Sequence, residues 1–370
     1  MNQDQSAIVD VVRSILGDQS TQASVIAAEG PGWNESLWKV LCEKGFATIS
    51  IPETLGGSDG DLADACLVLH ELGRSAAAVP FVENTLLAGW ALAEAGVALP
   101  RGMSTMSTGT SKDELTVTGD LGGAVLDGVL HRVPWATHSN QIVVLAEIDG
   151  KPHLIQVPTA LATIEEGRNL AMESRDMVRF EKVTVSADKV IEAPESVNQE
   201  SLGLRGALSR AALIAGALDR VTEITIRYTA EREQFGRPIA RFQAVQRHLV
   251  RIAEQTVSAR MAVDAAAINA STHLDFFDIA SAKIVASEAA GTVSAASHQA
   301  HGAIGMTKEY ELGQLSRRLW SWRDECGSEA VWSRRLGARV AEAGAGALWP
   351  RISTALAPER SANDKVAVNR

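Results

Sequence analysis

The spacing of apolar positions divides the chain into three stretches. Over residues 6–98, apolar side chains recur every three or four positions, which is the period of amphipathic helices. Over residues 103–191 the period changes to two, which is typical of strands. The helical period returns after residue 193 and continues to about residue 348. The pattern therefore predicts a helical unit, a β unit and a helix bundle, in that order.

The strongest strand signal lies in the middle stretch. Two apolar runs, 142–145 and 154–157, flank the turn pair Asp149-Gly150, so a β-hairpin is predicted here. A further alternating run indicates another strand in a small β-barrel or sandwich: Val178, Phe180, Val183 and Val185.

These patterns predict a mostly α fold with a β middle domain. We place a helical N-terminal domain at 1–102, the β-barrel or sandwich domain at 103–195 and a C-terminal four-helix bundle at 196–349. The last stretch, 350–370, has little periodicity, and we predict a loosely ordered tail.

Composition narrows the classes of function. The formal net charge of −10 and the pI near 5.4 disfavour binding to nucleic acid or to an anionic membrane, because both need a basic face. The chain has three cysteines and no CxxC pair, so neither a disulfide framework nor a metal site is predicted. We find no export signal and no membrane span, and expect a cytoplasmic protein that acts on a small molecule.

Four motifs then resemble one family. The segments 232–239 and 242–243 resemble the Arg-x-x-Phe-Gly…Gln signature of acyl-CoA dehydrogenases. Residues 299–305, followed by Glu309-Tyr310, are similar to the family's Gln-x-x-Gly-Gly-x-Gly…Glu-Tyr segment. The Trp-x-Thr at 135–137 and the loop beginning at Pro52-Glu53 also look like family motifs, so the resemblance covers nearly the whole chain.

The resemblance implies FAD as cofactor. It assigns Arg232, with Phe235 and Gln243, to an FAD held mainly by a neighbouring subunit, and a guanidinium suits the pyrophosphate. Arg232 could instead belong to a solvated charge run with Glu231 and Glu233. The shared use of FAD implies a dimer or a tetramer, and we expect a homotetramer or a heterotetramer.

Two other segments would also contact the flavin nucleotide. The resemblance places Gln299, Gly302 and Ala303 along it through backbone, although Gly302 could be an ordinary helix C-cap. It places Trp135 against the isoalloxazine and the Thr137 hydroxyl near N5, although a lone Trp is more often a core residue. Ser328 is a further cofactor-contact candidate by its place in the family's Glu-Gly-Thr segment.

The base of the reaction is the main departure from the family. Members use a glutamate to remove the α-proton of the thioester while hydride passes to flavin N5. The matching segment here is Cys326-Gly327-Ser328, so the glutamate is replaced by a cysteine, and Glu325 lies one position before it. We take Glu325 as the catalytic base; the alternative is a solvated or capping carboxylate.

The family's other site for a base falls on Ser209-Arg210, which offers no carboxylate. Arg210 could bind substrate or form a structural salt bridge. Cys326 as a nucleophile is disfavoured, since no histidine lies in a nearby motif. The family's Thr-Glu-Pro-x-x-Gly-Ser-Asp-like segment also has no match in residues 103–110, so some flavin or thioester contacts would be missing or rebuilt.

Three hypotheses of function remain. The first is an FAD-dependent acyl-CoA dehydrogenase that forms a trans-2-enoyl-CoA in fatty acid or steroid side-chain degradation and passes electrons to an electron-transfer flavoprotein. The second is a non-catalytic or half-site subunit that supports FAD binding for a homologous full-length partner. The third is a flavin-binding relative with other chemistry, such as oxygen-dependent or nitroalkane oxidation.

Overall fold

The N-terminal part of the chain is helical, as the apolar pattern predicts. The computed structural model describes residues 2–120, 122–307 and 309–353. Side chains cap several of these helices; the α4 N-cap Asp61, for example, accepts a hydrogen bond from the backbone of Asp64. The helices are α1 Gln3–Gln19, α2 Gln22–Ala27, α3 Glu35–Glu43, α4 Leu62–Arg74, a π-helix Val82–Gly89 and α5 Trp90–Glu94.

The middle of the chain forms a β-sandwich. The strands are β1 Ser104–Thr105, β2 Glu114–Asp120, β3 Gly123–Pro134, β4 Gln141–Ile148, β5 Lys151–Pro158, β6 Thr163–Glu165, β7 Arg175–Ser186 and β8 Val190–Glu192. Within the described residues they form two four-stranded sheets, ordered β1-β4-β5-β8 and β2-β3-β7-β6. Apolar side chains of both sheets share one core, including Leu126, Ile155 and Phe180. The predicted hairpin is the pair β4 and β5, joined by Asp149-Gly150.

The C-terminal part is a bundle of long helices. These are α6 Gln199–Glu231, α7 Gln243–Ala270, α8 Phe276–His301, α9 Leu312–Asp324, α10 Glu329–Ala343 and α11 Ala345–Ser353, with a short β9–β10 ribbon, Glu233–Gln234 and Arg237–Pro238, after α6. Helix α6 is buried along most of its length because it packs against α4, α7, α8 and α9. At Gly216 the backbones of α6 and α4 approach so closely that a Cβ would lie 1.9 Å from the His70 carbonyl oxygen.

The N-terminal unit, the bundle and part of the sandwich share one apolar core. That core fixes the three units against each other, so residues that are distant in sequence meet where the units join. The predicted loosely ordered tail overlaps helix α11 at residues 350–353, and the rest of it, 354–370, lies outside the described residues. Within the described residues, no helix is long and apolar enough to cross a membrane.

Candidate functional site

A cavity of about 1090 Å³ opens where the three units meet. The π-helix contributes Glu83 and Leu87, and residues 106–111, the stretch without the family's motif, form one wall. The sandwich contributes Arg132, Asn169 and Arg175, and the bundle contributes Arg210, Trp320, Glu325, Cys326, Gly327, Val331 and Trp332. The structure thus brings Glu325 and Arg210, both predicted site residues, to one wall.

Glu325 ends helix α9 as its C-cap residue, and two arginines hold its carboxylate. Arg175 donates from Nε to Oε1 at 2.8 Å and from Nη2 to Oε2 at 2.9 Å. Arg210 donates from Nε to Oε2 at 2.8 Å, and the Asn169 amide donates to Oε1 at 3.0 Å. The side chain is only 8% exposed, so this carboxylate is not solvated. Both of its oxygens already accept hydrogen bonds from other side chains.

The network continues from Arg210 into the N-terminal unit. Arg210 Nη2 donates to Glu83 Oε1 at 2.6 Å, and the Trp135 indole donates to Glu83 Oε2 at 2.9 Å. Glu83 lies on the π-helix, a rare local structure that often marks functional sites. Arg210 is therefore held in a structural ion pair, one of the two roles considered for it, while it still lines the cavity.

A second buried carboxylate, Glu173, extends the network toward α9. Its Oε2 accepts hydrogen bonds from Arg175 at 3.0 Å, Asn169 at 2.9 Å and Trp322 at 3.2 Å. Arg318 lies 3.4 Å from its other oxygen. Three glutamates and three arginines thus neutralise one another inside the protein, and we call these six the charge network: Glu83, Glu173, Glu325, Arg175, Arg210 and Arg318.

The electrostatics of Glu325 follow from these contacts. Burial by itself would raise the pKa of its carboxyl, but Arg175 and Arg210 outweigh burial and lower that pKa to about 2. The pKa of Arg210 is in turn raised well above its ordinary value, because Glu83 and Glu325 outweigh its burial. Glu325 is consequently ionised but a weak proton acceptor, which disfavours the predicted role as base without excluding the residue from the site.

Cys326, the residue at the family's glutamate position, lies beside Glu325 in a left-handed turn with φ 55°. Thr108 Oγ1 is 3.8 Å from its sulfur. Burial raises the pKa of the Cys326 thiol, so the nucleophilic thiolate is disfavoured. Ser328, the third residue of this segment, is the N-cap residue of α10 and makes no side-chain capping bond there.

The two residues predicted to face the flavin ring, Trp135 and Thr137, are in contact with other residues of the chain. The Arg175 guanidinium lies over the Trp135 ring, 5.3 Å from its centroid, and also binds Glu325. Trp135 is buried, and the Thr137 backbone N–H donates to Asp176. One arginine thus spans from the ring of the tryptophan to the carboxylate.

The other predicted FAD contacts lie outside the cavity and are exposed. Arg232 ends α6, Phe235 in the β9–β10 turn is 92% exposed, and Gln243 begins α7. Gln299 and Ala303 are exposed near the end of α8. Gly302 is the C-cap residue of α8 with φ 65°, so it has the capping geometry considered for it. The cofactor roles of these residues stay predictions.

Sequence motifs did not reveal Glu83, Glu173, Arg175 or Arg318. Only the fold brings these residues together, because they come from three separate units of the chain. A signal was available for Glu83, which follows the apolar run 79–82, since carboxylates among apolar neighbours are rarely buried without a cationic partner. Within the described ranges, no group of three or more His, Cys, Asp or Glu side chains is arranged to hold a metal ion.

Comparison with known proteins gives the same family at both ends of the chain. The N-terminal domain model of acyl-CoA dehydrogenases matches residues 2–98, and the C-terminal domain model matches residues 201–341. Acyl-CoA dehydrogenase IpdE2 of Mycobacterium tuberculosis is 30% identical over 312 residues, which cover 84% of this chain and 88% of that protein.

Solved structures share the fold. The ChsE4–ChsE5 complex from Mycobacterium tuberculosis aligns with a TM-score of 0.86 at 24% identity and covers 93% of this chain and 99% of that chain. The Tcur3481–Tcur3483 steroid ACAD variant aligns with a TM-score of 0.82 at 25% identity, and the alignment covers 92% of this chain and 98% of that chain. The helix, sandwich and bundle order is thus the fold of FAD-dependent enzymes of this kind, as the motifs implied. The chain belongs to the acyl-CoA dehydrogenase family.

Proposed function

We propose that this chain is a subunit of a heteromeric acyl-CoA dehydrogenase. In this assembly a homologous partner supplies the catalytic glutamate for FAD-dependent oxidation of an acyl-CoA to a trans-2-enoyl-CoA. The observation that carries the proposal is Arg175, whose guanidinium lies over the Trp135 ring and also binds Glu325, the residue predicted as the base. The structural likeness to ChsE4–ChsE5, a complex of two named chains, supports a homologous partner.

The state of Glu325 supports the same conclusion. A base that removes an α-proton needs a pKa raised toward the working pH by a dry environment. The Glu325 pKa is instead lowered to about 2 by Arg175 and Arg210. Moving this carboxylate onto a substrate would break its bonds to both arginines. Arg175 would then keep only Glu173 and Arg210 only Glu83 as carboxylate partner, and this loss of buried ion pairs is costly.

The exposed FAD-contact candidates suit a supporting role. Arg232, Phe235 and Gln243 do not line the cavity and are exposed, so a neighbouring chain can reach them. A guanidinium and an amide can bind the pyrophosphate and ribose of an FAD held by that chain. FAD bound there would supply the hydride acceptor, and an electron-transfer flavoprotein is the proposed acceptor of the electrons. The likeness to a steroid ACAD makes a steroid-derived thioester the proposed substrate class.

The decisive experiment compares this chain alone with the chain co-expressed with its homologous partner. Flavin absorbance and its bleaching by a panel of acyl-CoAs are measured without oxygen. We expect no bleaching for the chain alone and full bleaching for the pair. In the pair, Glu325→Gln should leave bleaching intact as long as the protein folds. Asp324→Asn, an exposed neighbour on the same cavity wall, is the matched control.

One observation favours a stand-alone dehydrogenase with Glu325 as base: the residue does line the cavity where the three units meet, next to the family's glutamate position. Bleaching by the chain alone, lost in Glu325→Gln and kept in Asp324→Asn, would establish that alternative and overturn the heteromer. Rapid reoxidation of the bleached flavin by oxygen would instead favour oxidase chemistry.

A further inference from the structure

A second cavity, of about 250 Å³, lies between helices α1, α2, α4, α6 and α9, where the N-terminal unit packs against the bundle. It shares no lining residue with the cavity described above. Pockets for drug-sized ligands have volumes of about 300–1000 Å³, so this smaller cavity suits a molecule of a few carbon atoms. A CoA thioester and FAD are both too large to fit inside it.

Gln314 is the unusual residue of the lining. It lies in the first turn of α9 and is only 5% exposed. Within the described residues, its buried Nε2 finds no hydrogen-bond acceptor. Leaving such a donor unsatisfied costs free energy, so buried amides in folded proteins almost always have a partner. A ligand in this cavity that accepts a hydrogen bond would supply the missing partner of Gln314.

The charged residues of the lining favour an anion. Three arginines, Arg13, Arg74 and Arg220, line the cavity together with two carboxylates, Glu71 and Glu311. The lining therefore has an excess of positive charge, although the chain as a whole has a formal net charge of −10. Arg13 donates to Glu71 through Nε and Nη2, and its Nη1 forms no hydrogen bond with the described residues. That nitrogen is available to a ligand.

The three arginines differ from those of the charge network, because solvent reaches them. The side chains of Arg13, Arg74 and Arg220 are 55%, 20% and 30% exposed. Arg74 binds Glu223 through Nη2 alone, whereas Arg220 binds Glu311 through both Nε and Nη2. A guanidinium has five N–H donors, so Arg13 and Arg74 can bind an anion and keep their present ion pairs.

We propose that this second cavity binds a small oxyanion, a carboxylate or a phosphate, between the N-terminal unit and the bundle. The Gln314 amide donates a hydrogen bond to it, and Arg13 and Arg74 supply the positive charge. The ligand contacts α1 and α4 on one side and α9 on the other. Binding therefore links the two units and stabilises the folded chain. The site is independent of the proposed function, because none of its residues lines the candidate functional site.

The test is isothermal titration and thermal unfolding of the purified full chain. The probes are succinate, inorganic phosphate and succinamide, which resembles succinate in shape but has no charge. We expect one saturable site per chain for succinate or phosphate, with a rise in melting temperature, and the tighter ligand identifies the kind of oxyanion. No saturable binding, or an equal response to succinamide or to sodium chloride at the same ionic strength, would overturn the proposal.

Variants locate the site. Gln314→Leu should weaken binding about tenfold, yet should not lower the melting temperature without ligand, because it replaces a buried polar group by an apolar one. Arg13→Gln should also weaken binding about tenfold or more. The matched control is Arg260→Gln, since Arg260 is 56% exposed and binds Asp219 but does not line this cavity. Equal affinity in Arg13→Gln and Arg260→Gln, or unchanged affinity in Gln314→Leu, would overturn the proposed site.

Discussion

The charge network and the exposed flank formed by Arg232, Phe235 and Gln243 differ in burial and in how their side chains are bound. In the network each charged group is bound to others of the same chain and is almost dry. On the flank the side chains are open to solvent, although one of them is a phenylalanine. Groups that a chain satisfies internally serve its own fold, whereas groups that it leaves open are available to another molecule.

The largest expected effect comes from breaking the network. Arg175→Met should lower the free energy of unfolding by about 3–5 kcal/mol, because it leaves Glu325 and Glu173 buried without their main cation. Adding Glu325→Gln should restore part of that loss. Urea unfolding measures both. Arg260→Met, at an exposed ion pair, should lower the free energy of unfolding by less than about 1 kcal/mol. A loss as large as that of Arg175→Met would contradict the contrast between buried and exposed ion pairs.

Acid should remove part of the network's contribution. The Glu325 pKa is lowered from 4.5 to about 2, so the ionised carboxylate stabilises the fold fully above pH 4.5. This contribution is lost as the pH falls from 4.5 toward 2, because the unfolded state then binds a proton that the folded state resists. The difference in unfolding free energy between wild type and Glu325→Gln should shrink over this range. A difference in unfolding free energy that stays constant over this range would contradict the lowered pKa of Glu325.

Packing beside the network allows a smaller test. A Cβ at Gly206 on α6 would lie 2.8 Å from both the Cys326 sulfur and a Thr108 carbon. Gly206→Ala should therefore cost about 1–3 kcal/mol, and Cys326→Ala should recover part of it. Gly203→Ala, on the same helix with nothing within 4 Å, should be neutral or stabilising. Thermal unfolding of the two variants compares them directly.

The smallest effect on stability is expected on the flank. Phe235→Ala should change the unfolding free energy by no more than about 0.5 kcal/mol, since the ring is almost fully exposed. The same change should reduce recovery of the partner chain, or of its flavin, when the pair is purified. Leu161→Ala, also exposed, should leave recovery unchanged. A large loss of stability in Phe235→Ala would show that the flank serves this chain's own fold.

The fold could be predicted from local patterns, because the helix and strand periods are properties of short segments. The Asp149-Gly150 hairpin and the long helices α6 to α8 follow from the residues that form them. Motifs recovered the family for the same reason, since each is a short run with its own spacing. They also placed Glu325 and Arg210 in one site.

The state of that site could not be predicted from local patterns. The Glu325 pKa depends on Arg175, which is 150 positions away in sequence and belongs to another unit. Nothing in the sequence around Trp135 indicates that a guanidinium covers its ring. A motif can identify a carboxylate, but the charges that meet it in space decide whether it can accept a proton.

The π-helix at Val82–Gly89 gives this chain a particular sensitivity to changes in length. A π turn holds an extra residue relative to an α turn, and deleting one residue would rotate the side chains on one side by about 100° relative to the other. Glu83 and Leu87 could then not both face the cavity, and Glu83 would lose Trp135 or Arg210. The number of residues in this π-helix, and not only their identity, therefore sets the place of this carboxylate.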